Sequence, residues 1–168
     1  QPVAKMLYGG RTESSSQEIS GIRVEVQHAE SAILSLIRET KIPFKLVRKK
    51  TLSKELRDFS FDYLVTACWP GSIPKAVLSQ AKAALNIHPS LLPLYKGANP
   101  ISDQLRNNDH HFGATLHHMN EQYDSGEIVM QAVIEEKLLQ PDFNYIEKVC
   151  ARSGANLLIR FFESTLKK

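Results

Sequence analysis

An amide and an imidazole stand two residues apart in the segment Asn86-Ile87-His88-Pro89, directly after the apolar residues 83–85. Residues i and i+2 of an extended strand project from the same face, so Asn86 and His88 are predicted to point the same way. Pro89 has no N–H donor, so strand pairing is expected to stop there and to leave this pair at the strand's carboxyl edge. An amide donor beside a titratable ring suits a reaction in which a carbonyl oxygen gains negative charge while a proton moves.

A carboxylate is available further along the chain, in the turn Tyr123-Asp124-Ser125-Gly126. The sequence predicts that this turn presents Asp124 from a loop and that Gly126 takes an unusual backbone angle. If Asp124 reaches His88, it would fix the tautomer of the ring and stabilise the imidazolium that forms when a proton is taken up. Asn86, His88 and Asp124 are therefore the candidate catalytic residues.

The elements that would position these residues alternate between strands and helices. Apolar runs and alternation predict strands at residues 3–8, 44–47, 63–68, 84–88, 113–118 and 127–134. Helical spacing predicts helices near residues 29–42, 53–57, 75–79, 100–106 and 144–165. The last two strands would pair across the turn at residues 120–126, whereas the polar residues 11–20 are predicted to form a loop.

This order of elements predicts an α/β fold of three layers, with a mostly parallel open sheet and helices on both faces. The 168 residues suffice for one well-packed domain, so a single domain is expected over residues 1–168. Open sheets of this class bind ligands at the carboxyl ends of their strands, where Asn86 and His88 are expected.

Composition excludes several classes of protein. The chain is 42% hydrophobic, has no apolar run long enough to cross a bilayer and shows no signal-peptide pattern, so no membrane partner is expected. Its two cysteines are far apart in sequence, which argues against a disulfide framework and favours a cytoplasmic location. No G-x-G-x-x-G motif follows the first predicted strand, which disfavours a dinucleotide enzyme. A net charge of +3 is mild, and the basic residues 45–50 are interpreted as a solvated strand end or as an anion or RNA contact.

Two histidine pairs, residues 110–111 and 117–118, raise the question of a metal site. In a strand, His117 and His118 would point to opposite faces and could not chelate one ion together. Cysteine and carboxylate ligands at suitable spacing are also lacking, so no metal is predicted.

Three blocks of the sequence resemble the folate-dependent formyltransferase family. They are residues 86–97 (Asn-x-His-Pro-Ser-Leu-Leu-Pro-x-Tyr-Lys-Gly), 113–119 (Gly-Ala-Thr-Leu-His-His-Met) and 123–129 (Tyr-Asp-Ser-Gly-Glu-Ile-Val). The family includes the glycinamide ribonucleotide, methionyl-tRNA and sugar-amine formyltransferases. The resemblance implies a formyltransferase-like fold, an enzyme of one-carbon metabolism, and a catalytic triad of Asn86, His88 and Asp124.

The resemblance also implies 10-formyltetrahydrofolate as the co-substrate and a primary amine, either a small molecule or an aminoacyl-tRNA, as the acceptor. In the family, the folate pocket is lined by the loop after the strand 63–68 and by the loop before the catalytic aspartate. The implied folate-binding residues of this chain are Trp69, Ile73, Asn120, Glu121 and Tyr123.

The acceptor remains open between several family activities. Residues 96–101, Lys-Gly-Ala-Asn-Pro-Ile, are closest to the pattern of methionyl-tRNA and sugar-amine formyltransferases. Glycinamide ribonucleotide formyltransferase, formyltetrahydrofolate hydrolase and a non-catalytic folate-binding module are the alternatives. The module is considered because residues 3–8 resemble the second strand of the family pattern, so the first βα unit is expected to be missing. The sequence leaves the oligomeric state open.

Overall fold

The computed structural model describes residues 6–8, 16–19, 22–25, 44–46, 49–69, 71–135 and 142–165. The chain divides into two compact units, residues 1–55 and 56–168. Among the described helices, none combines the length and the apolar character that crossing a membrane would require.

The first unit contains two pairs of short strands. Strand β1 (Met6–Tyr8) runs parallel to β4 (Phe44–Leu46), and β2 (Ser16–Ile19) runs antiparallel to β3 (Ile22–Glu25). A 3₁₀ turn over Lys49–Thr51 then leads into the short helix α1 (Leu52–Leu56), which ends at the first residue of the second unit.

The second unit is built on one four-stranded sheet in the order β5-β6-β7-β8. Its strands are β5 (Tyr63–Ala67), β6 (Ala83–His88), β7 (Gly113–His118) and β8 (Ile128–Val133). Its helices are α2 (Lys75–Leu78), α3 (Pro100–Arg106) and α4 (Phe143–Thr165). Strands β5 and β6 are parallel, whereas β6–β7 and β7–β8 are antiparallel.

Helix α4 packs against one face of this sheet. Its buried residues Ile146, Cys150, Gly154 and Leu157 recur every three or four positions, which places them on one side of the helix. Leu157 forms a core cluster with the strand residues Leu85, Ala114 and Leu116, and Ile87 packs against this cluster. Gly154 allows the close approach of α4 to β6, since a Cβ added there would overlap the Ile87 side chain.

Most predicted elements of the chain are confirmed within a residue or two of their predicted bounds. The predicted loop at residues 11–20 is wrong, because β2 lies within it. Its strand pairing uses backbone hydrogen bonds, which need no apolar periodicity in the side chains. The predicted helix at residues 29–42 and the expected absence of a first βα unit lie outside the described residues.

The four-stranded sheet is mixed where the sequence favoured a mostly parallel one. The physical reason is the short connection between β7 and β8, which can join only antiparallel neighbours. Pairing of β7 with β6 is antiparallel as well, so both of its neighbours run opposite to it.

Candidate active site

The sheet face opposite to that of the core cluster carries polar side chains in register. Asn86 of β6 pairs with His117 of β7, and His88 pairs with Thr115. These residues alternate with the core residues Leu85 and Leu116, so they must project from the other face. His88, Thr115 and His117 are buried, at 4%, 0% and 2% exposure, which means that this polar face depends on protein hydrogen bonds rather than on solvent.

The amide of Asn86 is held from three sides. Its Oδ1 accepts a hydrogen bond from the Thr66 hydroxyl at 2.8 Å, and its Nδ2 lies 3.1 Å from Nε2 of His117. The same Nδ2 is 3.5 Å from Oδ1 of Asp124, which is a long and weak contact. One amide hydrogen of Asn86 is therefore only weakly engaged and can turn to a substrate oxygen.

The ring of His88 is oriented by a backbone group. Its Nε2 donates to the carbonyl oxygen of Tyr95 at 2.8 Å, because a carbonyl can only accept. In the neutral ring, Nδ1 is then a bare acceptor, and it faces Oδ2 of Asp124 at 3.6 Å. The prediction that Asp124 fixes the tautomer of His88 is wrong, since the Tyr95 carbonyl does so and the carboxylate lies beyond hydrogen-bond distance.

Asp124 reaches the other two candidate residues from its turn. Its Oδ2 accepts a hydrogen bond from the backbone N–H of Gly97 at 2.8 Å, and its side chain is 11% exposed. The unusual backbone angle of this turn falls on Asp124 itself, with φ of +46°, and not on Gly126 as predicted. The structure thus brings Asn86, His88 and Asp124 together, within 3.6 Å of one another through the carboxylate.

Burial and neighbouring charges set the protonation states of the site. Burial lowers the pKa of His88 below its ordinary value, against the opposing effects of the Tyr95 carbonyl and the Asp124 charge. For Asp124, burial acts to raise the pKa, but it is outweighed by the nearby His117 ring, by the hydrogen bond from the Gly97 N–H and by the His88 ring, so this pKa is lowered. A neutral ring beside an ionised carboxylate is the resting state that follows.

Several residues of the site were missed by the sequence reasoning. The loop after β6 is held through Thr115, whose hydroxyl donates to the Ser90 carbonyl at 2.6 Å and accepts from the Leu92 N–H at 3.1 Å. Gln131 donates to the Leu92 carbonyl at 2.8 Å and to the Thr115 hydroxyl at 2.9 Å. These hydrogen bonds fix the loop that carries the Tyr95 carbonyl and the Gly97 N–H. In the sequence, only the Tyr-Lys-Gly pattern of residues 95–97 indicated this loop.

The five residues predicted to bind folate lie on two segments that an ion pair joins. Lys75, which opens α2 two residues after Ile73, lies 2.9 Å from Glu121 in the loop before Asp124. Ile73 is buried, Asn120 and Tyr123 are exposed, and Asn120 accepts a hydrogen bond from the Gln122 N–H at 2.9 Å. Within the described part of the chain, none of the five side chains has a hydrogen bond to Asn86, His88 or Asp124.

Trp69 offers the clearest binding group among these five. Its indole Nε1 is buried and has no hydrogen-bond partner among the described residues. Trp69 lies two residues after the end of β5, whose last residue, Ala67, pairs with Ile87 beside His88. An unpaired donor at this edge of the sheet fits a ligand that brings a carbonyl oxygen, as a pterin ring does.

Metal ligands are not clustered in this region. Across residues 50–69, 71–135 and 142–165, no group of three or more His, Cys, Asp or Glu side chains is arranged to hold an ion. His117 is buried, whereas His118, on the opposite face of β7, is only partly buried.

We expect Gly126→Ala to lower both stability and any activity of the site. A Cβ at this position would overlap the carbonyl oxygen of His118, which also accepts from Nδ1 of His117 at 2.8 Å. Relief of the overlap requires a backbone shift, which costs about 1–3 kcal/mol. Urea unfolding measures this cost, and Glu127→Ala, an exposed neighbour, is the matched control. Equal stability of the two variants would contradict the close approach of the turn to β7.

Comparisons with known proteins address the fold and the family. The structure resembles that of a phosphoribosylglycinamide formyltransferase from Streptococcus pneumoniae TIGR4, with a TM-score of 0.70 at 19% identity over 83% of each chain. It also resembles a 4-N formyltransferase from Francisella tularensis, with a TM-score of 0.66 at 20% identity over 83% of this chain and 55% of that one. The chain thus has the α/β fold of these formyltransferases, which confirms the predicted fold class.

Sequence comparison extends this result from the fold to the family. The formyl transferase profile matches residues 11–160. A methionyl-tRNA formyltransferase of Campylobacter jejuni strain RM1221 is 32% identical over 124 residues, which are 73% of this chain and 40% of the relative. One from Thermotoga maritima is 30% identical over 139 residues, 80% of this chain and 44% of the relative.

The chain therefore belongs to the formyl transferase family, as its three sequence blocks predicted. The matched regions span about two fifths of the length of these methionyl-tRNA formyltransferases.

Proposed function

We propose that this chain catalyses transfer of a formyl group from 10-formyltetrahydrofolate to a primary amine. The observation that carries the proposal is the convergence of Asn86 and His88, on one face of β6, with Asp124 from the turn before β8. The site combines an amide donor with two proton acceptors, which is the set of groups that acyl transfer to an amine needs.

The first step is attack of the acceptor nitrogen on the formyl carbon. A carbon–nitrogen bond forms, and the carbonyl electrons move to oxygen to give an alkoxide. The weakly engaged Nδ2 hydrogen of Asn86 is the donor for this oxygen. Because Thr66 and His117 already hold the amide, little reorganisation is needed as the charge develops.

The second step moves a proton from the attacking nitrogen. Nδ1 of His88 and Oδ2 of Asp124 are two acceptors that face each other at 3.6 Å with no proton between them in the neutral resting state. His88 takes the proton at Nδ1, and the Asp124 carboxylate, directly or through water, stabilises the imidazolium. Because its pKa is lowered, His88 starts neutral and gains this proton during the reaction.

The last step breaks the bond between the formyl carbon and the folate nitrogen. The proton held by His88 passes to that nitrogen, the alkoxide electrons reform the carbonyl, and tetrahydrofolate leaves with the formylated amine. No covalent intermediate on the protein is needed, and the three residues return to their starting states.

The acceptor we place first is methionyl-tRNA or a sugar amine. Residues 96–101 support this choice, as does the similarity to methionyl-tRNA formyltransferases. The likeness to phosphoribosylglycinamide formyltransferase over 83% of each chain keeps glycinamide ribonucleotide as the second candidate. Trp69, Ile73, Asn120, Glu121 and Tyr123 are proposed to line the folate site, and the cytoplasm is the proposed location.

The proposal is tested by mixing the protein with 10-formyltetrahydrofolate and each candidate amine and following tetrahydrofolate release. Amine-dependent turnover supports formyl transfer and identifies the acceptor. Turnover without amine would identify a hydrolase, and folate binding without turnover would identify a non-catalytic module. Full turnover by His88→Ala would remove the mechanism given above.

The pH dependence of kcat/KM should report the state of His88. The ring must be neutral to accept a proton, and its pKa is lowered from the ordinary value of about 6.5. Activity is therefore expected to be complete near pH 7 and to fall as the pH drops through a pKa below about 6.5. An acid limb centred above that value would contradict the lowering of the pKa by burial.

A further inference from the structure

The buried ring of His117 has a hydrogen-bonding pattern that the reaction steps above do not use. Its Nδ1 lies 2.8 Å from the carbonyl oxygen of His118, and its Nε2 lies 3.1 Å from Nδ2 of Asn86. The residue is 2% exposed, so solvent does not compete for either nitrogen. Nδ1 therefore has one protein partner, whereas Nε2 has the Asn86 amide within hydrogen-bond distance and Oδ1 of Asp124 beyond it, at 3.6 Å.

The His118 carbonyl determines where the proton of this ring resides. A carbonyl oxygen only accepts, so Nδ1 of His117 must carry the hydrogen. In the singly protonated ring, Nε2 is then a bare acceptor. The neighbouring group at 3.1 Å must donate to it, so Asn86 has to present its NH₂ there and not its oxygen.

The orientation of the Asn86 amide follows from this requirement. With Nδ2 turned to His117, Oδ1 faces the Thr66 hydroxyl at 2.8 Å, which donates to it. The second hydrogen of Nδ2 is left with only a long contact of 3.5 Å to the Asp124 carboxylate, so it can donate to the reacting oxygen. The reversed amide would place Oδ1 against a bare ring nitrogen and would aim no donor at the substrate.

We infer that His117 is a positioning residue that selects the orientation of the Asn86 amide through its Nδ1–H tautomer. The His118 carbonyl, the His117 ring, the Asn86 amide and the Thr66 hydroxyl form one directional chain of hydrogen bonds. The effect of His117 on catalysis rests on the proposed function, whereas its tautomer does not.

The tautomer is tested by nitrogen-15 NMR of the histidine rings in the unmodified chain. Long-range proton–nitrogen correlation distinguishes a ring protonated at Nδ1 from one protonated at Nε2, and His117→Gln assigns the signals. His117 is expected as the Nδ1–H form and His88 as the Nε2–H form. A His117 ring protonated at Nε2, alone or together with Nδ1, would overturn the inference whether or not the protein turns over.

The coupling to Asn86 is tested by a double-mutant cycle on kcat. His117→Leu removes the acceptor and is expected to lower kcat about tenfold to a hundredfold, by analogy with residues that orient metal ligands. In the Asn86→Ala background the same substitution should cost less than about threefold, because the amide it orients is gone. His117→Gln keeps an oxygen acceptor and should recover most of the rate.

Two outcomes of this cycle would overturn the inference. One is an equal loss from His117→Leu in both backgrounds, which would indicate a general structural role. The other is a His117→Gln variant no more active than His117→Leu. If the unmodified chain has no formyl transfer activity, the proposed function fails, while the NMR experiment still decides the tautomer.

Discussion

Asn86→Ala is expected to lower kcat for formyl transfer by roughly a hundredfold to a thousandfold, the cost of removing one donor to a developing oxyanion. The substitution takes away the weakly engaged side-chain amide hydrogen that is the proposed donor to the developing oxyanion. Because the interaction strengthens as the alkoxide forms, the loss should appear in kcat more than in KM for 10-formyltetrahydrofolate. Steady-state rates of tetrahydrofolate release measure both constants.

Stability has to be followed in the same variant. Removal of Asn86 leaves Nε2 of His117 without its amide partner, whereas the Thr66 hydroxyl keeps Sδ of Met119 at 3.1 Å. An unsatisfied buried group costs about 1–3 kcal/mol, so a lowered Tm is expected together with a folded protein at 25 °C. Asn156→Ala, at an exposed position of α4, is the matched control and should change neither kcat nor Tm appreciably. An active Asn86→Ala variant would remove the amide from the mechanism.

Asp124→Asn is the second substitution with a large expected effect, a fall in kcat of about a hundredfold or more. The isosteric amide can keep its oxygen on the Gly97 N–H, so the turn should remain in place. It cannot stabilise a proton on Nδ1 of His88, because it lacks the negative charge. Folate binding, measured by fluorescence titration, should change by less than about threefold, since the charge acts on the moving proton.

The pH profile of the same variant gives an independent readout. The Asp124 charge acts to raise the pKa of His88, so its removal should move the acid limb of kcat/KM to still lower pH. Asp58→Asn changes the same charge at an exposed position and is expected to leave both the rate and the profile unchanged. An unchanged rate for Asp124→Asn would contradict its role in proton transfer.

Local patterns in the chain were sufficient for most of the described elements and for the shared strand face of Asn86 and His88. The i, i+2 spacing places Asn86 and His88 on one face of β6, because side chains alternate between the two faces of any strand. Pro89 follows the last residue of this strand. The stripe of Ile146, Cys150 and Leu157 predicted α4 for the equivalent reason in a helix. The order of the three sequence blocks was enough to identify the family.

Other parts of the site were decided only by the tertiary structure. The groups that orient His88 and Asp124 are the carbonyl of Tyr95 and the N–H of Gly97, and backbone groups of this kind are present at nearly every residue. No residue type identifies which backbone groups will contact the site, because this depends on the path that the loop takes. The left-handed angle at Asp124 and the place of Gly126 against His118 likewise depend on how the turn packs on β7.

The role of His117 shows the same division between sequence and structure. Its residue type and its strand were evident from the sequence, but its partner is Asn86, which is 31 residues away and is reached only through the register of β6 and β7. The sequence by itself determined which chemical groups are present and which face of each strand carries them, because these follow from covalent order and local geometry. The tertiary structure alone decided which nitrogen of each ring holds a proton, because that depends on whichever buried donor or acceptor packing places beside it.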